Sequence, residues 1–312
     1  MSLERALELA ERGRGTTHPN PIVGAVVVCD GEVVGEGWHE RKGEPHAEVI
    51  ALRAAGERAR GGTLYLTMEP CAHHGSTPPC TEAVVGAGIE RVVAASLDPN
   101  PKARGGFEVL RKAGVDVELD DRFEARVQNE AWRTWVSKGR PFTTYKVAVT
   151  LDGRVAVPGE RWVSGEESRR LVHELRAGSD AVGVGMGTVR ADNPRLDARR
   201  VEVSRQPRRL AFGRGQLPKG SQLELRRGSL LGELEALVGE GVQSLLLEGG
   251  PTLAGSYFAE GLVDKVLVFV APTLGGTGPR AFDRLEAPAT LRRLTARRVG
   301  EDILLSAYVN EP

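Results

Sequence analysis

The sequence predicts an α/β protein made of two three-layer α/β domains. Strand-like apolar runs alternate with amphipathic helical stretches over the first 140 residues, and the alternation restarts after an interruption at "SKGRPF" (137–142). The chain's 312 residues also exceed the roughly 100–200 of an ordinary single domain.

Residues 2–13 carry apolar positions at helical spacing. "IVGAVVVC" (22–29) and "EVVGEGWH" (32–39) flank Asp30-Gly31, a pair that supplies the positive φ of a hairpin turn. A helix over 46–60 ends at Gly61-Gly62. Strands follow at 63–68, 91–97 and 115–119, interleaved with helices at 79–88, 102–113 and 122–137, so the sheet beyond the hairpin should be largely parallel. Pro141 forbids continuation of the last helix, which places the boundary between domains 1–140 and 141–312. In the second half, strands are predicted at 143–149, 180–185, 208–213, 242–248, 264–271, 291–298 and 302–309. Helices are predicted at 166–177, 230–240 and 251–260, and the final strands read as antiparallel.

Charge and composition exclude several function classes. Forty-two basic residues balance 42 acidic ones, so no overall field attracts nucleic acid or an anionic membrane. No apolar run reaches the ~18 residues of a membrane span, and the N-terminus lacks the apolar core of a secretory signal. Three cysteines cannot build a disulfide framework and suit a reducing cytosol, where clustered cysteines hold metal or do chemistry. A cytoplasmic protein acting on small molecules, with no nucleic-acid or membrane partner and with homo-oligomerisation open, is the expectation.

The densest chemistry lies in "EPCAHHGSTPPC" (69–80) and "PHAEVIAL" (45–52). His46, Cys71 and Cys80 would supply three zinc ligands and leave one position for water, whose pKa the metal lowers toward ~7. Glu48 is then left as a proton carrier. His46 opens one helix and Cys80 another, and the partial positive charge of a helix N-terminus favours a thiolate at Cys80. His46 and Glu48 share a site only if the helix tip points into it, because positions i and i+2 otherwise lie on different sides of a helix. The competing reading is a closed structural zinc site, with His73 or His74 as the fourth ligand. Cys29, inside a strand-like run, reads as a small apolar residue.

The pattern H-A-E followed by P-C and a second Cys resembles the zinc cytidine/nucleotide deaminase superfamily, in which the Glu serves as general acid/base. The cysteines here are spaced C-x8-C rather than C-x2-C. With "HPNPIVGAVVV" (18–28), "GEGWHERKGEPHAE" (35–48), the intervening "AHHGSTPP" and "SLDPNP" (96–101), the first half resembles the deaminase part of the bifunctional riboflavin-biosynthesis deaminase/reductases. The resemblance implies a cytidine deaminase-like domain and hydrolytic removal of an amino group from a pyrimidine carrying a ribosylamino phosphate. It also implies that Asn20, His39 and the "AHHGST" loop line the base and phosphate pocket. Asn20 in its Pro-Asn-Pro run is otherwise a turn residue, and His39 otherwise a strand end.

No G-x-G-x-x-G fingerprint is present. "VGVGMGTVRADNP" (182–194) and "LLLEGGPTLAGSYF" (245–258) each run from an apolar strand into a glycine-rich turn, where backbone N–H groups can approach phosphate. The first of these reads equally well as a tight strand exit. With "KVAVTLDGRVA" (146–156), "RWVSG" (161–165) and "LVDKVLVFVAPTLGG" (262–276), they make the second half similar to the reductase part of the same bifunctional family. That similarity implies a dihydrofolate reductase-like fold, NADPH as hydride donor and reduction of a ribosyl group to ribityl. It places Val149, Trp162, Thr188, Asp192 and the turn Gly250, Pro251, Thr252, Leu253, Ala254, Gly255 and Ser256 against the dinucleotide. Glu160, Arg176, Leu196, Arg199 and Glu248 would meet the substrate. The family usually has an acidic residue after the strand at 208–213; this chain has Gly213-Arg214, and Arg208, Arg209 and Arg214 are candidates for a 2′-phosphate. A nucleic-acid base deaminase with an accessory nucleotide-binding domain is the alternative, and a zinc-stabilised NADP-binding regulator is a third. The neutral charge opposes the former and the retained Glu48 the latter.

Overall fold

Two layered sheets organise the chain, seen in a computed structural model that describes residues 2–73, 78–203 and 205–312. Each sheet belongs to its own compact unit, the first ending at Lys138 and the second spanning Gly139–Glu311.

The first unit holds strands β1 (Gly24–Cys29), β2 (Glu32–Trp38), β3 (Thr63–Leu66), β4 (Arg91–Ala94) and β5 (Asp116–Leu119), in the order β2-β1-β3-β4-β5. The β1–β2 hairpin turns at Asp30 and Gly31, both at positive φ; β1 pairs antiparallel with β3, and β3, β4 and β5 are parallel. Helices α1 (Ser2–Glu11), α2 (Ala47–Ala55), α3 (Cys80–Gly86), α4 (Gly106–Lys112), α5 (Phe123–Gln128) and α6 (Glu130–Lys138) complete it. One helix was expected over 122–137. It breaks at Asn129, whose amide leaves the helical register to accept from Ile22 N (2.9 Å) and donate to Ile22 O (2.8 Å). Helix α2 also stops early, at Gly56, with a 3-10 turn over Gly56–Ala59.

The close approach of α2 to the sheet depends on a missing side chain. A Cβ on Gly37 of β2 would lie 2.6 Å from both Ala47 O and Ala51 N, so the helix backbone rests on the strand and its N-terminus is fixed in height. Ala25, Val27, Leu64 and Leu66 from the sheet close a buried core with Ala47, Ala51 and Val84 from the helices.

The second unit begins with β6 (Phe142–Thr150) and continues through β7 (Ala181–Gly185), β8 (Arg208–Phe212), β9 (Glu224–Arg226), β10 (Ser244–Leu247), β11 (Lys265–Ala271), β12 (Arg292–Val299) and β13 (Asp302–Tyr308). Their order is β12-β13-β11-β6-β10-β7-β8-β9, parallel from β11 to β9, with β13 and β12 antiparallel at one edge as the sequence suggests. Helices α7 (Glu166–Ala177), α8 (Met186–Asp192), α9 (Leu230–Gly239) and α10 (Pro251–Ala259) cover it. Strand β9 lies in the Arg-rich stretch where none was predicted. The turn at 185–187 does not simply exit the strand but starts α8. Arg140, next to the predicted boundary, is buried in a two-armed pair with Asp264 (2.6 and 2.8 Å), whose Oδ2 also accepts from Thr143 N.

Candidate active sites

His46, Cys71 and Cys80 reach the same point from three elements. His46 is the N-cap of α2 in extended backbone, and its carbonyl accepts from Ile50 N (3.2 Å), so its ring leaves the helix tip. Cys80 is the first residue of α3, preceded by Pro79, and its N–H donates to Cys71 Sγ (3.4 Å). Cys71 sits in the chain leaving β3. The carboxylate of Glu69, two residues earlier, accepts from Gly105 N (3.2 Å) and Phe107 N (3.0 Å) at the start of α4 and from Asp98 N (3.3 Å), which anchors that segment. His46 Nδ1 lies 3.2 Å from Cys80 Sγ and 3.7 Å from Cys71 Sγ, and the three donor atoms lie within 4.8 Å of one another. Neither His73 nor any other described residue joins this group. His74 and the rest of 74–77, within the "AHHGST" loop, lie outside the described residues.

The donors suit a soft divalent ion. The thiol of Cys71 is pulled down to about 4, first by its hydrogen bond with Cys80 and then by His46; the same bond and burial push Cys80 up. The two sulfurs thus share one proton, which a cation would displace. Glu48, at the second position of α2, is buried, and its Oε2 has no hydrogen-bond partner among the described residues. Loss of hydration raises its pKa, against the opposing charge of His46.

These residues open on a cavity of about 320 Å³ that Asn20 and His39 also line. His39 Nδ1 donates to Pro45 O (3.2 Å), so Nε2 accepts from Asn20 Nδ2 (3.2 Å). Burial lowers the pKa of His39 and keeps the ring neutral. Asp98 and Asn100 reach the same cavity from "SLDPNP", together with Trp132 and Trp135 of α6. The motif was visible in the sequence, but only the fold shows that its turn faces the metal ligands. Burial lifts the Asp98 carboxyl to about 6.

A larger cavity, about 990 Å³, lies at the carboxyl ends of the parallel strands in the second unit. Trp162, Thr188, Asp192, Gly250, Pro251, Thr252, Leu253 and Ser256 line it, as do Glu160, Arg176, Arg199 and Glu248. Four expected contacts are not on its wall. Val149 and Ala254 pack in the core beneath β6 and α10, and Leu196 in a core cluster with Val184 and Met186. Gly255 is buried, and a Cβ there would lie 2.4 Å from Arg284 O. Arg176 is not a free fork for phosphate. Its Nε and Nη2 bind Glu248 at 2.6 and 3.0 Å, a pairing across 72 residues that spacing alone does not reveal.

Lys146 and His173 were missed by the sequence reading. Lys146 Nζ is 3.7 Å from Glu248 Oε2, and burial lowers its pKa despite that neighbour. Glu248 loses hydration, yet Lys146 and Arg176 outweigh this and hold it ionised. His173 Nδ1 donates to Asp197 O (3.0 Å). Lys146 is the one charged residue of β6, and a lysine inside a strand reads as a solvent-facing position.

The turn before α10 fits a dinucleotide phosphate. Gly250 caps the helix with no side-chain bond, Pro251 follows at the first turn, and a Cβ on Gly250 would point toward Thr188 Oγ1 at 3.7 Å. Among the described residues no side chain caps the N–H groups there. Arg208 and Arg209 are committed elsewhere, to Glu224 and Glu240 and to Gln222 respectively.

Comparison with known proteins covers both units. Residues 2–96 match the family model of the cytidine and deoxycytidylate deaminase zinc-binding region, and residues 141–305 match that of the RibD C-terminal domain. Riboflavin biosynthesis protein RibD of Aquifex aeolicus is 40% identical over 342 residues, covering 97% of this chain and 96% of that protein. The Escherichia coli protein of the same name is 39% identical, with 97% of each chain covered. Among solved structures, Acinetobacter baumannii RibD is 36% identical with a TM-score of 0.82, covering 98% of this chain and 97% of its own. A Thermotoga maritima diaminohydroxyphosphoribosylaminopyrimidine deaminase/5-amino-6-(5-phosphoribosylamino)uracil reductase is 33% identical with a TM-score of 0.83 over the same shares.

Proposed function

The chain belongs to the RibD family of bifunctional riboflavin-biosynthesis enzymes, a zinc-dependent deaminase joined to an NADPH-dependent reductase, and from that premise we propose the role of each unit and residue. The first unit, residues 1–140, removes the amino group of the diamino pyrimidine ribosylamino phosphate as ammonia. The second, residues 141–312, reduces the ribosyl group of the deaminated product, 5-amino-6-(5-phosphoribosylamino)uracil, to ribityl.

His46, Cys71 and Cys80 hold the zinc, which when bound lowers the pKa of a water in its remaining position. Glu48 takes a proton and returns it to the departing nitrogen; its buried, unpartnered Oε2 is free for that transfer. Asn20 and the neutral His39 present fixed polar atoms to the base, with Asp98 and Asn100 opposite. In the second unit, NADPH supplies the hydride. Gly250, Pro251, Thr252, Leu253 and Ser256, with Thr188, Asp192 and Trp162, hold the dinucleotide, while Val149, Ala254 and Gly255 lie behind that wall. Glu160 and Arg199 hold the sugar phosphate. Arg176 orients Glu248, and Lys146 beside it carries the proton that the hydride step needs at oxygen.

The observation that carries this reading is the convergence of three donor atoms within 4.8 Å beside an unpartnered carboxylate oxygen. Glu48→Gln should keep one zinc per chain by elemental analysis while ammonia release falls about 10²–10⁴-fold. Full turnover in that variant would reject the role given to Glu48. No helix is long and apolar enough to cross a membrane, and all three cysteines are free, which supports a cytosolic placement. Edge strand β12 is exposed along almost its whole length, which supports self-association, checked by sedimentation.

A further inference from the structure

Several arginines of the second unit are paired with carboxylates. Arg208 and Arg226, on β8 and β9, pair with Glu224, Glu233 and Glu240. In the reductase cavity Arg176 is committed to Glu248, Arg199 to Asp197 and Arg200 to Glu166. Among the described residues, three others meet at one turn without such partners. Beyond β8 the chain turns through Gly213-Arg214-Gly215, with φ of +120° and +139° at the two glycines. Arg190 of α8 reaches this turn, its Nη1 3.8 Å from where a Cβ on Gly215 would sit. Arg227 donates to Gly215 O (3.3 Å). The turn rests on the buried Met186, first residue of the helix that presents Thr188 and Asp192 to the cavity, and Arg190 lines that cavity too. Among the described residues no carboxylate pairs with Arg190, Arg214 or Arg227. Three guanidinium groups around one turn repel each other unless an anion joins them, and their planar forks match phosphate oxygens.

Position identifies the anion. Lys146 and Glu248 mark the reacting end of the cavity, on β6 and just past β10. The cluster follows β8, two strands beyond β10, hence about 10 Å away across the sheet. An extended dinucleotide with its nicotinamide at the reacting end carries its adenosine ribose toward that side. In nucleotide-binding α/β sheets an acidic residue at such a strand end selects the ribose 2′-hydroxyl, and an arginine accommodates a 2′-phosphate.

We infer that Arg190, Arg214 and Arg227 form a phosphate-monoester subsite that receives the 2′-phosphate of NADPH and sets the preference for NADPH over NADH. The inference rests on the reading of the second unit as an NADPH-dependent reductase. The subsite binds the dianion directly, with Arg190 and Arg214 as its mobile jaws and Arg227 steadying the turn.

The test is equilibrium binding by calorimetry on the full chain, with NADPH, NADH, adenosine 2′,5′-bisphosphate and ribose 5-phosphate as probes. Arg190→Ala and Arg214→Ala should each weaken NADPH and the bisphosphate about 10- to 100-fold, as expected for a lost charged hydrogen bond, and leave NADH within about threefold. Arg214→Lys should recover part of the loss, and ammonia release should stay at the wild-type rate, which reports an intact fold. Equal weakening of NADPH and NADH would overturn the inference, since the turn would then be only structural. Unchanged NADPH binding would overturn it as well. Weakening confined to ribose 5-phosphate would reassign the cluster to the substrate's phosphate. A wild-type chain that binds neither dinucleotide would refute the underlying reductase reading, an outcome distinct from a wild type that discriminates and variants that still do.

Discussion

Asp98 shows what burial does to one side chain. Its carboxyl, lifted to about 6 by lost hydration, changes charge close to neutral pH. The folded value lies above that of the unfolded chain, so the carboxylate form weakens the fold at neutral pH, and this cost is relieved as pH falls through about 6. Catalysis has the opposite sign: the carboxylate that faces the substrate is lost over the same interval. KM for ammonia release should rise between pH 7.5 and pH 5.5, and Asp98→Asn should flatten that dependence; an unchanged profile in the variant would remove Asp98 from the site. The convergence of His46, Cys71 and Cys80 was legible in the sequence because few residue types bind zinc, and two cysteines and a histidine at strand and helix ends leave few other uses. The pairing of Arg176 with Glu248 was not, since the two are distant in the chain and meet only after α7 and β10 are folded. Val149 and Leu196 carry no polar atom that could have separated a ligand contact from a core position.

At the scale of elements, the ligand geometry depends on how closely α2 sits on β2. Gly37→Ala would force the helix backbone away, because its Cβ meets two main-chain atoms at 2.6 Å. The expected cost is about 1–3 kcal/mol by denaturant titration, with zinc released at lower chelator concentration than in the wild type. Wild-type zinc retention would show that the tip of α2 does not set the site. Arg140 is a second such point: Arg140→Ala removes the guanidinium facing the buried Asp264 carboxylate, and unfolding should become easier by about 3–5 kcal/mol. The period of apolar residues located nearly every strand and helix. It missed the break at Asn129 because the pattern continues across it, and the cause, two hydrogen bonds to Ile22, lies 107 residues away. It missed β9 because three residues, a leucine between an exposed glutamate and a half-buried arginine, are too short a run for a periodic signal.

For the whole molecule, the described linings of the two cavities come from separate stretches, residues 19–136 and 146–279. The two half-reactions should therefore fail independently. Removing zinc with a chelator should stop ammonia release and leave NADPH oxidation with the deaminated substrate unchanged. Glu248→Gln should do the reverse. Joint loss in either case would show that the activities are coupled through the fold. One buried oxygen has a consequence for the durability of the entire chain. An acceptor sealed from water with no donor costs on the order of 1–3 kcal/mol, and among the described residues Oε2 of Glu48 has none. Replacing that side chain with methionine, of similar length and without the oxygens, should raise the melting temperature of the metal-free protein by several degrees. A screen for heat resistance alone would then enrich chains that have lost the power to release ammonia.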